Sequence, residues 1–146
     1  MNNRGIYIDR GILRTGADEM SIYGVENRGL QTENIHRYTL RTDGFVSIRA
    51  GYGGGEFSTK PFVYSGNSMF INYSTSAVGS IRVELQDLKG TPLKGCQIED
   101  CIELFGGALD EQVVWNSRIN LGSIAGKQTR LRFLFNDADI YAFNND

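Results

Sequence analysis

The sequence predicts an all-β fold, a β-sandwich of jelly-roll type with roughly nine or ten antiparallel strands. Three observations carry that expectation. Apolar side chains recur with period two along most of the chain. Eighteen glycines, seven tyrosines and eight phenylalanines imply many turns between aromatic and β-branched runs. No stretch keeps a convincing helical period.

Strands are expected, in order, at residues 5–13, 20–25, 35–41, 45–50, 56–62 and 69–74, and then at 80–86, 112–116, 129–135 and 140–143. The clearest is Ser80-Ile81-Arg82-Val83-Glu84-Leu85-Gln86, which puts Ile81, Val83 and Leu85 on one face and the polar residues on the other. It ends in Asp87-Leu88-Lys89-Gly90, a turn signal, and Pro92 argues against a central strand just beyond. Leu131, Phe133 and Phe135 line one face of the second alternating stretch. Asn136-Asp137-Ala138-Asp139 then reads as a turn that hairpins the last strand, 140–143, back onto its predecessor. Residues 98–104 are read as loop or one short turn, because Gly95, Gly106 and Gly107 crowd both sides.

At 146 residues the chain is of ordinary size for one domain, and 40 % hydrophobic content supports a real core. A net charge of −2 with both signs interspersed offers no basic face to neutralise phosphates, so a nucleic-acid partner is not expected. No apolar run approaches a membrane span, and residues 1–5 lack the apolar stretch of a signal peptide. No membrane partner is expected, and the compartment, cytoplasmic or periplasmic, stays open.

Few residues suggest chemistry. The single histidine, His36, lies in a strand and is read as a partly buried strand residue, since one imidazole makes neither a zinc site nor a triad. Cys96 and Cys101 are five positions apart. A bridge across so short a loop is sterically allowed, buried reduced thiols are the alternative, and the spacing does not match paired zinc ligands. Asp43, Glu56, Asp110 and Glu111 are the candidates for a glycosidase-like carboxylate pair, with turn and surface roles preferred for all four. Gly51-Tyr52-Gly53-Gly54-Gly55 lacks the Gly-Lys-Ser/Thr ending of a phosphate loop. Tyr52 at its tip either stacks on a sugar ring or, the preferred reading, folds back over the sandwich. Trp115, the only tryptophan, is read as core. The oxygen-rich segment 136–139 admits a structural calcium, and turn chemistry accounts for the same residues without one.

Several separated strings resemble one family. Leu40-Arg41-Thr42-Asp43-Gly44-Phe45-Val46-Ser47-Ile48-Arg49-Ala50-Gly51, followed by Gly54-Gly55-Glu56-Phe57-Ser58-Thr59-Lys60-Pro61, is similar to a segment of bacterial glycoside-hydrolase-like proteins. Those proteins belong with the family-32 and sialidase-like group, in which a five-bladed β-propeller precedes a C-terminal β-sandwich. Gly79-Ser80-Ile81-Arg82-Val83-Glu84-Leu85, Gly126-Lys127-Gln128-Thr129-Arg130-Leu131-Arg132-Phe133 and Asp139-Ile140-Tyr141-Ala142-Phe143 continue the resemblance in order. It covers the chain from about Leu40 to the end, and residues 11–24 resemble the last propeller strands.

The resemblance implies propeller-exit-like strands at 1–30 packed on a sandwich at 31–146. It supplies no catalytic residue, because the propeller that holds the family's carboxylates is absent from the 146 residues. The chain is then a fragment or a small protein made of the accessory domain. The expected function is that of a non-catalytic module of a carbohydrate-active protein, in glycan binding or in domain or subunit assembly. A purely structural or oligomerisation domain is the alternative, and a small glycoside hydrolase a third. The expected ligand is a glycan held by Tyr52, Tyr64 and Tyr73 with Arg41, Asp43 and Glu56, through ring stacking and bidentate hydrogen bonds. The expected protein partner, a second copy or another chain, covers the face that would dock on a propeller.

Overall fold

A computed structural model describes residues 6–117 and 119–146. The fold is all-β, 54 % strand with two antiparallel sheets and no barrel, in keeping with the expected sandwich of about ten strands. The chain divides into two compact units, Met1–Phe45 and Val46–Asp146. The division falls later than residue 30 because the strand at 34–41 completes the sheet of the first unit.

The first unit contains β1 (Ile6–Ile8), β2 (Leu13–Arg14), β3 (Glu19–Glu26) and β4 (Asn34–Arg41). The expected strand at 5–13 is two short pieces, its start at Gly5 lying outside the described residues; both pair with β3, on which Ile8 faces Gly24 and Leu13 faces Ser21. β4 pairs with β3 through eight consecutive partners, from Glu19 and Arg41 to Glu26 and Asn34. A polar network ties β3 and β4 to the residue that follows β2. Arg37 donates to the Ser21 and Thr15 hydroxyls at 2.9 and 3.1 Å and forms an ion pair with Glu19, while Thr15 and Ser21 share a hydrogen bond of 2.6 Å. His36 lies on β4 with its side chain 47 % exposed, not partly buried as read, because the face it shares with Tyr38 is uncovered; its Nε2 is 3.5 Å from Glu26.

The second unit is built on two 18-residue strands, β8 (Met69–Gln86) and β10 (Gln128–Asn145). Each replaces two strands of the sequence reading. The hairpin expected at 136–139 does not form, because Phe135, Ala138 and Ile140 all reach the core and the ladder runs on through that segment. The turn-forming residues make a bulge instead. Asp137 takes a left-handed φ of 42°, and β10 advances from Asn136 to Ala138 while β8 moves from Ser80 to Thr75. The free edge of β10 carries β7 (Phe62–Val63), β6 (Gly55–Ser58) and β5 (Ile48–Ala50) in succession. Pro61, which cannot donate to the ladder, separates β6 from β7. The other edge of β8 takes β9 (Gly107–Gln112), five residues upstream of the strand expected at 112–116.

The core lies between the inward residues of the ladder and the segments folded over them. Ile81, Val83, Leu85, Leu131 and Phe133 are almost wholly buried, as are Tyr64, Met69, Ile71 and Cys96. Phe57 stacks on Phe133 with ring centres 4.7 Å apart, and Trp115 is buried as expected. Both cysteines are buried free thiols. Residues 92–104 run along the edge of β8 beyond β9, where Ile81 exchanges backbone bonds with Leu104, and Leu85 is bonded to both Leu93 and Cys96.

Candidate functional site

Two surfaces stand out, one in each unit. In the first unit, strand register puts Ile6, Ile8, Met20, Ile22, Tyr38 and Leu40 on one face with Gly24, Glu26 and His36. A methyl group on Gly24 would meet Ile6, Ile8 and Tyr38 at 3.1–3.3 Å, so these apolar side chains crowd around a glycine. Yet the face is not a core. Ile6 and Ile8 are 52 % and 58 % exposed, and among the described residues of this unit only Ser21 and Gly24 are buried. Tyr38 donates its hydroxyl to Glu26, a bond that, with burial, raises the phenol above its ordinary range. The sheet therefore has an apolar side with no second layer among the described residues of its own unit.

In the second unit, the wet side of the ladder is a charged face. Register aligns Glu56 with Leu134 and Arg82, and Ser58 with Arg132 and Glu84. Arg132 bridges two strands, 2.5 Å from Glu56 and 3.6 Å from Glu84. Glu84 is buried and also accepts from the Gln86 amide at 2.8 Å and the Ile98 backbone N–H at 3.2 Å. Arg82 pairs with Glu103 at 3.2 Å. A hydrogen bond from Ser80, with help from Arg82, holds the Glu103 carboxyl below the usual carboxylate range.

Glu103 stands between two clefts. One, about 320 Å³, is bordered by Gly54, Ser80, Arg82, Leu134 and Asn136. The other, about 280 Å³, is bordered by Ile102, Phe105, Ala108, Glu111, Gln112 and Val114.

The residues chosen from the sequence are dispersed. Tyr52 is 82 % exposed at the tip of its glycine loop and does not fold back, since Gly51, Gly53 and Gly54 provide no side chains to hold it down. Glu56 lies near that loop and is engaged by Arg132. Tyr64 and Tyr73 are core residues, 1 % and 3 % exposed, and their hydroxyls donate to the Ser68 and Phe105 carbonyls. Burial pushes the Tyr64 phenol up to about 12 and also raises Tyr73. Neither ring has a face to offer a ligand. Arg41 and Asp43 belong to the first unit, where Asp43 takes a φ of 58° in a turn closed by the Gly44 N–H donating to the Arg41 carbonyl at 2.9 Å.

Asp110 and Glu111 do not form a pair, since they are consecutive in β9 and so point to opposite faces, and Glu56 is engaged by Arg132. The oxygens at 136–139 serve the bulge. Asn136 accepts from Ser80 at 2.9 Å, and Asp139 accepts from Ser47 at 2.7 Å. Among the described residues no group of three His, Cys, Asp or Glu side chains is placed to hold a metal ion.

Sequence reasoning missed Arg132, Glu103 and Phe105 as site residues. Alternation had put Arg82, Glu84 and Arg132 on wet faces, but only the pairing of β8 with β10 brings them together. Phe105, 61 % exposed before two glycines, had no signal at all. Comparisons with family models, with curated proteins and with solved structures found no match.

Proposed function

We propose that this chain is a non-catalytic accessory module of a carbohydrate-active protein and that its work is assembly, through the uncovered sheet of the first unit. The observation that carries this reading is the absence of a core among the described residues 6–45, where no apolar side chain is buried and Ile6 and Ile8, on the apolar face, are more than half exposed. Apolar surface of that extent costs roughly 25 cal/mol per Å² to keep in water, so the same sheet of a second copy stabilises it as a second layer. The family resemblance supplies the carbohydrate context. Hydrogen exchange at low and high protein concentration tests the reading. Protection of the β1 and β4 amides that rises with concentration is expected; exchange independent of concentration throughout residues 6–41 contradicts self-association through this sheet.

A second reading, glycan recognition by the second unit, is favoured by the exposed Tyr52 ring on the loop whose Gly54 borders the 320 Å³ cleft. An exposed aromatic beside hydroxyl, guanidinium and carboxylate groups suits a ring with one apolar face and several hydroxyls. Glycan-array binding that Tyr52→Ala abolishes is the expected result. Binding unchanged by that substitution removes Tyr52 from the site.

A further inference from the structure

We infer that the 280 Å³ cleft beside Phe105 is a subsite for a single neutral pyranose ring; the inference rests on the glycan-recognition reading and deepens it. Phe105 is 61 % exposed although its backbone is held, its carbonyl accepting from the Tyr73 hydroxyl at 2.9 Å and Leu104 being bonded to Ile81 on both sides. The ring is therefore presented on a fixed strut, the arrangement that lets an aromatic face stack on the C–H face of a sugar.

The polar side of the cleft is equally suited to hydroxyls. Glu111 is exposed at the cleft, its side chain forms no ion pair among the described residues, and it offers a carboxylate acceptor. The Gln112 amide is oriented by the bond from its Nε2 to Ser68 Oγ at 3.2 Å, leaving its carbonyl oxygen to accept. Glu103 closes the rim, held by Arg82. Two carboxylates with one guanidinium already engaged disfavour an anionic ligand, and the carboxylates and amide of Glu103, Glu111 and Gln112, which an apolar ligand would desolvate without a partner, disfavour an apolar one. The volume, about 280 Å³, falls just short of the roughly 300 Å³ at which pockets for larger ligands begin, so it takes one ring and not a longer chain. Glu103 also borders the cleft next to the Tyr52 loop, so a glycan longer than one ring has a second place to continue.

Amide-resolved NMR titration of the chain with methyl β-glucopyranoside, methyl β-galactopyranoside and methyl α-mannopyranoside tests the subsite, at dissociation constants on the order of 1 mM. The expected result is that at least one sugar shifts the amides of residues 102–108 and 111–114. Phe105→Ala should then weaken that response about tenfold, Glu111→Gln should weaken it as well, and Val63→Ala, exposed on β7 and bordering neither cleft, should leave it unchanged. Shifts confined to residues 51–55 and lost in Tyr52→Ala overturn the subsite while leaving glycan recognition standing. Cleft shifts that survive Phe105→Ala overturn the stacking role. No shift with any of the three sugars, together with a silent glycan array, overturns both the subsite and the reading beneath it. Because the substituted side chains are all exposed, the variants are expected to fold, and an unchanged spectrum outside the cleft verifies it.

Discussion

Trp115 donates its indole N–H to the carbonyl oxygen of Val83 at 3.0 Å, across 32 residues of sequence. Val83 sits on the edge of β8 where no strand pairs with it on that side, and its own N–H donates to Cys101 Sγ at 3.2 Å. Two side chains thus complete a backbone that a neighbouring strand would otherwise have satisfied. Trp115→Phe keeps most of the ring but leaves the buried Val83 carbonyl unpaired, at a cost of about 1–3 kcal/mol. Urea unfolding followed by circular dichroism should show a lower midpoint with an unchanged slope.

Burial pushes the Cys96 thiol up to about 12 and raises Cys101 as well. Native protein should resist a thiol-specific chromophoric reagent at pH 8, and two thiols should react once the chain is unfolded. Tyr64 is pushed up to about 12 in the same way. In all three cases the folded state keeps a proton that the unfolded state releases near its ordinary value, 9.0 for thiol and 10.0 for phenol. Fewer protons bound in the unfolded state mean that stability falls as pH rises from about 9 toward 12. Denaturation midpoints measured across that window should decline steadily, and the decline should be shallower in Cys96→Ala, where Cys101 and Tyr64 alone contribute.

Arg132 is the cation nearest the buried carboxylate of Glu84. Arg132→Met retains the stem but removes the charge, leaving Glu84 to its two remaining hydrogen bonds, at a cost of about 1.5–3 kcal/mol. Arg82→Met should cost less, because its partner Glu103 is 31 % exposed and can turn to water. Thermal unfolding of the two variants ranks them directly.

At the bulge, a methyl group on Gly79 would lie 2.3 Å from the Asp137 carbonyl oxygen. The clash is with backbone of the opposing strand, which has little room to give. Gly79→Ala should destabilise the second unit by about 1–3 kcal/mol. A refolded variant as stable as the parent would mean that the two long strands do not cross so closely there.

The class of the fold was legible because alternation at 80–86 and 129–135 is strong, and Leu85, Leu131 and Phe133 are as buried as their spacing implies. The connection between strands was not. Asn136 and Asp137 carry turn chemistry that serves equally for a hairpin or a bulge, and what decides is the continued inward pattern at Ala138 and Ile140. Tyr64 and Tyr73 were misplaced for a related reason. A tyrosine in a strand can be a surface platform or a core ring with its hydroxyl bonded at the margin, and only the location of the Ser68 and Phe105 carbonyls distinguishes them. The charged face needed the register of Arg132 against Glu84, a relation between residues 48 positions apart.

The central claim, that the first unit's sheet is an assembly surface, is tested most directly by light scattering coupled to size exclusion, with the protein loaded over a wide concentration range. The account predicts a mass that rises above the 16.3 kDa of one chain as concentration increases. It also predicts a return to the single-chain mass when Ile8, 58 % exposed on that face, is replaced by Asp. A mass of 16.3 kDa at every concentration, with Ile8→Asp indistinguishable from the parent, would contradict it.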